Sequence, residues 1–269
     1  MAKLSACDIN QLLNRRVERL IHRTNHRGYL GLSQVGHECT RYLWLVLHDA
    51  YRGVLTPRTL RIFERGNWEE GRIIKDLKAL GATVTGEQAA IHQLGGHLQG
   101  HIDGIVNNLS GVPDNTLLEF KTVNSTSFSK FSKKSLKDVS PMYYAQVQMY
   151  MHYLSLEQAL FVVVNKDTEM RHFSLIKYNK DDALKLEEKI YDVFGSDSPP
   201  KKIGGPDWYV CKMCSMYDLC HEQEKVHICC RSCANVEFKL GSLGCKKGVT
   251  QDPRTIDIGC LDAWESCLK

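Results

Sequence analysis

Cysteine is distributed very unevenly along this chain, and this limits what the chain can fold into. Nine of the eleven cysteines lie in the range 211–267, and residues 40–210 contain none. The N-terminus has no apolar segment of the kind that a secretory signal needs, so we expect an intracellular protein. An odd number of cysteines in that compartment indicates metal ligation rather than a disulfide framework.

The rest of the composition excludes other classes of protein. With 43% hydrophobic and 25% charged residues, we expect a soluble globular chain with one sizeable core and a small second module. No apolar stretch approaches the ~20 residues that span a bilayer, so we expect no membrane partner. The net charge of +4 is too small to establish a polyanionic partner by itself.

Apolar periodicity divides the chain into a body and a tail. Helical spacing and strand-like alternation predict an α/β body to about residue 195, a linker over 195–200 and a cysteine-rich tail from about residue 205. The predicted helices cover 9–22, 40–50, 59–80, 141–156 and 181–194, and the predicted strands cover 83–88, 97–107, 116–123, 160–165 and 170–178. Because so few apolar residues follow the linker, we expect bound metal to stabilise the tail.

Two predicted strands carry acidic side chains that could meet. Glu119 and Lys121 are two residues apart and therefore point to the same side, while Phe120 points into the core. If the preceding strand pairs with this one, Asp103 lies beside Glu119. Two carboxylates and a backbone carbonyl suit Mg²⁺ or Mn²⁺, and a nearby ammonium can orient water and stabilise charge on a phosphate. The alternative is a solvated sheet face with cross-strand ion pairs.

Residues on the neighbouring helices extend this pattern. Gln146 and Tyr150 are spaced i,i+4 and share a helix face, and Glu70 lies on the helix before the strands. The order of these motifs resembles that of the RecB-like branch of the PD-(D/E)XK nuclease superfamily: Asp, then Glu-x-Lys, then Gln-x3-Tyr. The resemblance covers roughly residues 30–225. The resemblance implies a restriction-endonuclease-like α/β core in the order αβββαβ, with a central mixed sheet flanked by helices and a cysteine-rich, metal-stabilised C-terminal module.

The resemblance also implies a role for each residue of the set. The implied catalytic residues are Asp103, Glu119, Lys121, Glu70, Gln146 and Tyr150. The first two would ligate Mg²⁺ or Mn²⁺ with the carbonyl of Phe120, the lysine would be catalytic, and the Gln–Tyr pair would support the site or contact DNA. RecB-like members often have His where this chain has Glu70, and Glu is more similar to the lambda-exonuclease branch. Glu70 is therefore either an extra metal ligand or a solvated helix glutamate.

The first cysteine motif of the tail provides three thiolates at the spacing of metal ligands. It consists of Cys211-x2-Cys214-x5-Cys220. The residues alone leave Cys39, His221 and His227 as candidates for the fourth ligand. Nucleases of the AddB type and of CRISPR adaptation join one N-terminal Cys to three C-terminal ones around a [4Fe–4S] cluster, and similarity to them implies Cys39. We expect iron–sulfur rather than zinc, although four thiolates also suit structural Zn²⁺. Buried free thiols are the remaining alternative.

The second cysteine motif is typical of a closed, structural zinc ribbon. Its zinc ligands would be Cys230, Cys233, Cys245 and Cys260. Because Cys229 and Cys230 are adjacent, Cys229 is an alternative first ligand, and Cys267 could replace Cys260 as the last. Cys7 is unassigned. We therefore expect a nuclease domain with its cysteine clasp over 1–225 and a small zinc-ribbon-like module over 226–269.

A lysine-rich segment follows the strand that carries Glu119. The range 124–137 contains four lysines and two aromatic rings. The candidate DNA-binding residues among them are Lys130, Lys133, Lys134, Phe128 and Phe131. As a mobile loop, the segment could neutralise phosphates and stack its rings on bases. The alternative is a solvated basic loop with both rings packed into the body.

Together these features predict a metal-dependent deoxyribonuclease that hydrolyses phosphodiester bonds without a covalent intermediate. We expect an exonuclease acting on single-stranded DNA or duplex ends in recombination, repair or phage DNA metabolism. A recombination or replication protein would be a partner, and the gene would be of phage or prophage origin, acting in the host cytoplasm. The alternatives are an endonuclease of the same superfamily, and a non-catalytic DNA-binding or scaffold protein that binds through its cysteine modules.

Overall fold

The computed structural model describes residues 6–21, 27–53, 55–222, 225–248, 260 and 264–268. The helices are α1 (Ala6–Ile21), α2 (Thr40–Leu47), α3 (Pro57–Ala79), α4 (Ser125–Phe131), α5 (Leu136–Val139), α6 (Pro141–Leu154), α7 (Lys180–Gly195), α8 (Tyr209–Lys212) and α9 (Tyr217–His221). The strands are β1 (Leu30–Gly31), β2 (Thr83–Thr85), β3 (Ala90–Gln93), β4 (Leu98–His101), β5 (Gly104–Asn107), β6 (Thr116–Val123), β7 (Gln158–Asn165), β8 (Arg171–Lys177), β9 (Val236–Lys239) and β10 (Ser242–Cys245).

The body is built on a five-stranded mixed sheet in the order β2-β5-β6-β7-β8. Only the central β6–β7 pair among these is parallel. The chain runs α3, β2, β5, β6, α6 and β7 through this core, which is the predicted order αβββαβ with short insertions. The predicted fold class, a central mixed sheet flanked by helices with a cysteine-rich C-terminal region, is therefore confirmed.

Helices cover both faces of the sheet because its inner strand β7 is apolar on both sides. Along β7, Phe161 and Val163 pack into one core, which also contains residues of α2, α6 and α7. Leu160 and Val162, one residue out of phase, pack with Ile73 of α3 in a second core. A continuous apolar run is what a strand between two helical layers requires.

The long helix α3 has clear start and stop signals. Pro57 occupies its first turn, and the side chain of Thr56 accepts a hydrogen bond from the backbone N–H of Thr59 at 3.2 Å. Gly81 follows the helix with a φ of +91°, which a residue without Cβ adopts readily. These signals fix the length of the helix that carries Glu70.

The strand predicted over 97–107 is wrong as a single element. It divides into β4, which belongs to a separate sheet in the order β1-β4-β3, and β5 of the central sheet. The connection consists of Ile102, buried in the first core, and Asp103. Side-chain alternation continues across this break, so the pattern cannot reveal that the chain changes sheets. The strand β3 was not predicted at all.

The predicted mobile loop over 124–137 is also wrong. The segment forms α4 and α5, capped by Asn124 and Ser135. The rings of Phe128 and Phe131 are only 8% and 7% exposed and belong to the first core. Burying a Phe side chain stabilises a fold by roughly 1.5–3 kcal/mol, which favours packing over a mobile loop. In this conformation neither ring can stack on a base.

The cysteine-rich tail returns to the body at α2 and beside β4. The linker before the tail is also attached to α2, because the indole N–H of Trp44 donates to the carbonyl of Ser196 at 2.9 Å. Phe238 of β9 packs edge-on against the rings of both His48 and His97. Arg231 donates to the carbonyl of Leu47 at 3.2 Å. Within the described parts of the chain, no helix is both long and apolar enough to cross a membrane.

Candidate active site and cysteine clusters

Strand pairing brings the predicted carboxylates together. In the antiparallel β5–β6 pair, Gly104 is opposite Leu118, so Asp103 lies next to Glu119. The carboxylate of Asp103 accepts a hydrogen bond from the backbone N–H of Phe120, at 2.7 Å from the nitrogen. The predicted juxtaposition of the two strands is therefore present, with Asp103 at the break between β4 and β5 rather than inside a strand.

Glu119 and Lys121 lie on the same side of β6, opposite to Phe120. The Lys121 ammonium donates a hydrogen bond to Glu119 Oε1 and lies 5.2 Å from the centre of the Tyr143 ring. The Glu119 side chain is only 1% exposed, and its Oε2 has no hydrogen-bond partner among the described residues. A solvated sheet face would not contain a buried carboxylate with an unsatisfied oxygen. That alternative does not describe this site.

Burial and mutual repulsion shape the charges here. Burial raises the pKa of Asp103, and it raises the pKa of Glu119 to about 7 despite the opposing effect of the Lys121 ammonium. Burial disfavours the charged form of Lys121, but the carboxylates of Glu119 and Asp103 outweigh it and raise the lysine pKa. Lys121 is therefore the cation of a site with more carboxyl groups than positive charges, and such a site can accept a divalent cation.

Glu70 belongs to the same cluster, held there by a residue that was not predicted. Gln88 donates to Glu70 Oε1 at 2.7 Å and also hydrogen-bonds Asp103. Burial and the nearby Asp103 raise the pKa of Glu70. The neighbouring Glu69 pairs with Arg72 at 3.1 Å. Gln88 has a positive φ of 55° on a turn, and no local sequence signal indicates that it would face the carboxylates.

The Gln–Tyr pair lies behind the site rather than on the surface. Gln146 donates to the hydroxyl of Tyr150 at 3.2 Å, and the two residues are 5% and 2% exposed. Burial, followed by the charge of Glu119, raises the pKa of Tyr150. A Cβ at Gly100 would lie 2.7 Å from the Tyr150 ring, so the ring needs a glycine there. This placement suits support of the site, and not direct contact with DNA.

The carboxylate cluster opens into a wide groove. Its lining includes Lys121, Thr122 and Tyr143 beside the cluster, and Arg27, Tyr29 and Phe63 further away. The exposed residues Lys130, Lys133 and Lys134 lie on or just after α4 and are not among the lining residues of the groove. Polar, basic and aromatic side chains therefore surround an acidic centre.

The first cysteine set is assembled across the chain. Its four members line a single cavity together with His221. They are Cys39, Cys211, Cys214 and Cys220. No three of these sulfurs lie within 4.8 Å of one another. The third candidate for the fourth ligand, His227, is wrong because it lies elsewhere, beside Asp49.

The second cysteine set surrounds the β9–β10 hairpin. Burial raises the pKa of Cys230 to about 11, with further contributions from the nearby thiols. In order of size, those contributions come from Cys260, Cys229, Cys233 and Cys245. Cys267 is buried, whereas Cys7 lies where side chains are outside the described set. None of the ten cysteines that the structure describes forms a disulfide.

Comparisons with known proteins find similarity only at the level of solved structures. No model of a protein family matches the sequence, and no curated protein sequence matches it. An alkaline exonuclease from Laribacter hongkongensis aligns with a TM-score of 0.46 and 17% identity, over 62% of this chain and 86% of that one. The protein SSO0001 aligns with a TM-score of 0.46 and 18% identity, over 79% and 96%. A phage related exonuclease from Haemophilus somnus 129PT aligns with a TM-score of 0.44 and 13% identity, over 65% and 94%. Similarity this distant assigns no role to any residue of this chain.

Proposed function

We propose that this protein is a metal-dependent DNA nuclease of the RecB-like PD-(D/E)XK type. The observation that carries the proposal is the buried Glu119 beside Asp103: one of its oxygens accepts from Lys121, and the other has no partner in the described part of the chain. A buried carboxylate oxygen without a hydrogen bond is unfavourable unless another group interacts with it. A bound cation would provide that interaction, and the surrounding oxygen-rich donor set suits a hard divalent ion.

The residues of the cluster have complementary tasks in this proposal. Asp103, Glu119 and the carbonyl of Phe120 hold Mg²⁺ or Mn²⁺, and Glu70 is an additional ligand. When bound, the ion supplies Lewis-acid activation of the scissile phosphate. Lys121 remains protonated because its pKa is raised, so it acts as a hydrogen-bond donor and cation toward the phosphate and the attacking water.

The remaining residues of the site position these groups. Gln88 hydrogen-bonds both Glu70 and Asp103, and it therefore restricts the orientation of two carboxylates. Gln146 and Tyr150 pack behind Glu119 and keep bulk water away from it. None of these positioning residues needs to touch the substrate.

The substrate in this proposal is DNA, as single strands or duplex ends, in recombination, repair or phage DNA metabolism. The groove offers Arg27 for phosphate contact and Tyr29 and Phe63 for stacking. Lys130, Lys133 and Lys134 add charge next to the site strand. The proposal includes an intracellular location, a recombination or replication partner, and the division into a domain over 1–225 and a module over 226–269.

The metals of the cysteine sets are part of the same proposal. We assign a [4Fe–4S] cluster to Cys39, Cys211, Cys214 and Cys220, and a structural Zn²⁺ to Cys230, Cys233, Cys245 and Cys260. The cavity shared by the first four thiols supports the cluster. The proximity of Cys233, Cys245 and Cys260 to Cys230 supports one site for these four thiols. Neither metal takes part in hydrolysis.

Digestion of labelled DNA with Mg²⁺ or Mn²⁺ tests the catalytic assignment. We expect Asp103→Ala and Lys121→Ala to lower the rate by at least about 10²-fold, as for removal of a group that stabilises transition-state charge. Matched controls are Asp192→Ala and Lys185→Ala, exposed residues of α7 that should leave the rate unchanged. Wild-type rates in both site variants would refute the assignment.

The form of the DNA separates the alternatives. An exonuclease degrades linear DNA and leaves covalently closed circles intact, whereas an endonuclease cuts the circles. A non-catalytic DNA-binding protein would retard DNA in a gel and cut neither form at any metal concentration. That last result, obtained with folded wild-type protein, would contradict nuclease function altogether.

A further inference from the structure

A third cluster of possible metal ligands lies outside the carboxylate site and both assigned cysteine sets. Asp49 follows α2, and His227 and Cys229 precede the β9–β10 hairpin. Asp49 Oδ2 lies 3.7 Å from His227 Nδ1 and 3.7 Å from Cys229 Sγ. Within the described parts of the chain, this is the one group of three ligand atoms lying within 4.8 Å of one another.

The spacing of these three atoms is close to what one zinc ion needs. Zinc binds carboxylate oxygen and imidazole nitrogen at ~2.0–2.2 Å and thiolate sulfur at ~2.3 Å, which places tetrahedral ligands about 3.3–3.6 Å apart. The two distances of 3.7 Å from Asp49 Oδ2 exceed this range only slightly, and the ligand atoms of His227 and Cys229 lie within 4.8 Å of each other.

His227 has an unmet requirement that an ion would satisfy. Its Nδ1 is buried and has no hydrogen-bond partner among the residues that the structure describes, and 3.7 Å to Asp49 Oδ2 is too long for a hydrogen bond. The backbone N–H of His227 donates to the carbonyl of Ala50 at 2.9 Å, which holds the ring beside Asp49. The nitrogen is thus directed at a carboxylate and a thiol without bonding to either of them.

The surroundings orient the other two ligands. Arg52 donates to Asp49 Oδ2 from Nε at 3.0 Å and from Nη2 at 2.6 Å. Ser232 Oγ accepts from the backbone N–H of Cys229 at 3.1 Å and lies 3.5 Å from its sulfur. Such outer partners are usual for metal ligands. The Arg52 charge opposes a cation, but a carboxylate and a thiolate together supply two negative charges against it.

The position of Asp49 is itself unusual. It is a non-glycine residue with a φ of +46°, and its side chain is only 3% exposed. Asp tolerates this left-handed conformation better than most residues, yet a buried example indicates that the surrounding structure holds it there. The conformation places its carboxylate toward the segment 227–229, which follows the body in the sequence.

We propose that Asp49, His227 and Cys229 bind one Zn²⁺ ion, which fastens the cysteine-rich tail to the end of α2. Thiolate, imidazole and carboxylate form a mixed donor set that zinc accepts readily. The site uses Cys229, whereas its neighbour Cys230 faces the second cysteine set, so the cysteine doublet serves two different ions. The proposal is independent of DNA cleavage.

Counting metal ions tests this site directly. Zinc and iron are measured per chain by elemental analysis and by native mass spectrometry on the full-length protein. We expect His227→Gln and Cys229→Ser each to contain one zinc ion fewer than wild type, with iron unchanged. The control His92→Gln replaces an exposed histidine of β3 and should keep the wild-type count. An unchanged zinc count in both site variants would overturn the proposal.

A second measurement covers variants that fail to fold. In wild-type protein loaded with ¹¹³Cd²⁺, this site should produce a resonance typical of one thiolate with nitrogen and oxygen ligands, distinct from any four-thiolate signal. The absence of a one-thiolate resonance from folded, cadmium-saturated wild type would equally refute the site.

Discussion

The carboxylate cluster and the cysteine-rich tail reach their geometry in opposite ways. The cluster stands on β6, whose residues Leu117 and Leu118 are completely buried on opposite faces of the sheet. Its side chains are held by strand pairing and by two hydrophobic cores, whether or not a cation is bound. Two members of the first cysteine set, Cys211 and Cys220, lie on α8 and α9, which have only 4 and 5 residues. In the body, packing holds the carboxylates that we propose as metal ligands, whereas in the tail we propose that the bound metals hold the protein chain.

The largest difference between the two regions should appear when thiolates of the proposed clasp are removed. We expect the double variant Cys211→Ser/Cys214→Ser to lose iron and to melt about 10 °C or more below wild type. Structural metal sites contribute many kcal/mol to folding, and 1 kcal/mol corresponds to ~2–4 °C in chains of this size. Asp103→Asn should keep the wild-type melting temperature within a few degrees, because the core holds the cluster.

The control for the clasp lies between the two cysteines. Met213 is 86% exposed, so Met213→Ser should melt like wild type. Thermal melts followed by circular dichroism, together with iron analysis, report all of these effects. If the double variant retains the wild-type melting temperature, the tail does not depend on a metal at these cysteines.

A smaller effect should follow when Glu70 and Asp103 lose the hydrogen bonds that orient their carboxylates. Gln88→Asn is too short to bond both Glu70 and Asp103, and Asn tolerates the positive φ at this position. Losing such an outer partner typically costs 10–100-fold in metal affinity or activity. We expect the Mg²⁺ concentration for half-maximal cleavage to rise by about 10-fold, with an unchanged melting temperature.

Titration of the metal distinguishes positioning from a general structural role. The matched control is Gln93→Ala on β3, which should leave the Mg²⁺ requirement unchanged. A wild-type Mg²⁺ dependence in Gln88→Asn would show that Gln88 does not position the carboxylates, even if the maximal rate fell.

The smallest expected effect concerns the boundary between the two regions. His48 is stacked on Trp44 at 3.5 Å between ring centres and contacts Phe238 of the tail. Burial lowers the pKa of His48 to about 3, so the folded protein keeps it neutral while the unfolded chain protonates it near pH 6.5. Below pH 6.5 the unfolded state therefore binds the extra proton, and stability falls as the pH falls, until it levels off near pH 3.

Denaturant unfolding at pH 6.5 and at pH 5.5 measures this contribution. We expect it to be about 1 kcal/mol over that interval. His48→Gln should be less stable at both values but should lack this part of the pH dependence. Parallel pH profiles for wild type and His48→Gln would show that His48 does not couple protonation to this boundary.

Local patterns in the sequence determined the elements of the body and which candidate site residues share a face of a strand or helix. The apolar run of β7 requires cover on both faces, because both of its side-chain rows must be buried. The spacing of Glu119 and Lys121 places them on one side of a strand, and the i,i+4 spacing of Gln146 and Tyr150 places them on one side of a helix. These relations follow from the repeat of a strand or helix, so no tertiary information is needed to see them.

Tertiary structure alone decided where these elements meet. The change of sheet at Asp103, the burial of Phe131 and the hydrogen bonds of Gln88 all depend on what the rest of the chain packs against. The trio of Asp49, His227 and Cys229 joins residues from opposite ends of the sequence, and only the return of the tail to α2 brings them within 4.8 Å. Periodicity describes a residue's own element, whereas a ligand set or a buried ring depends on contacts between elements, which local spacing does not specify.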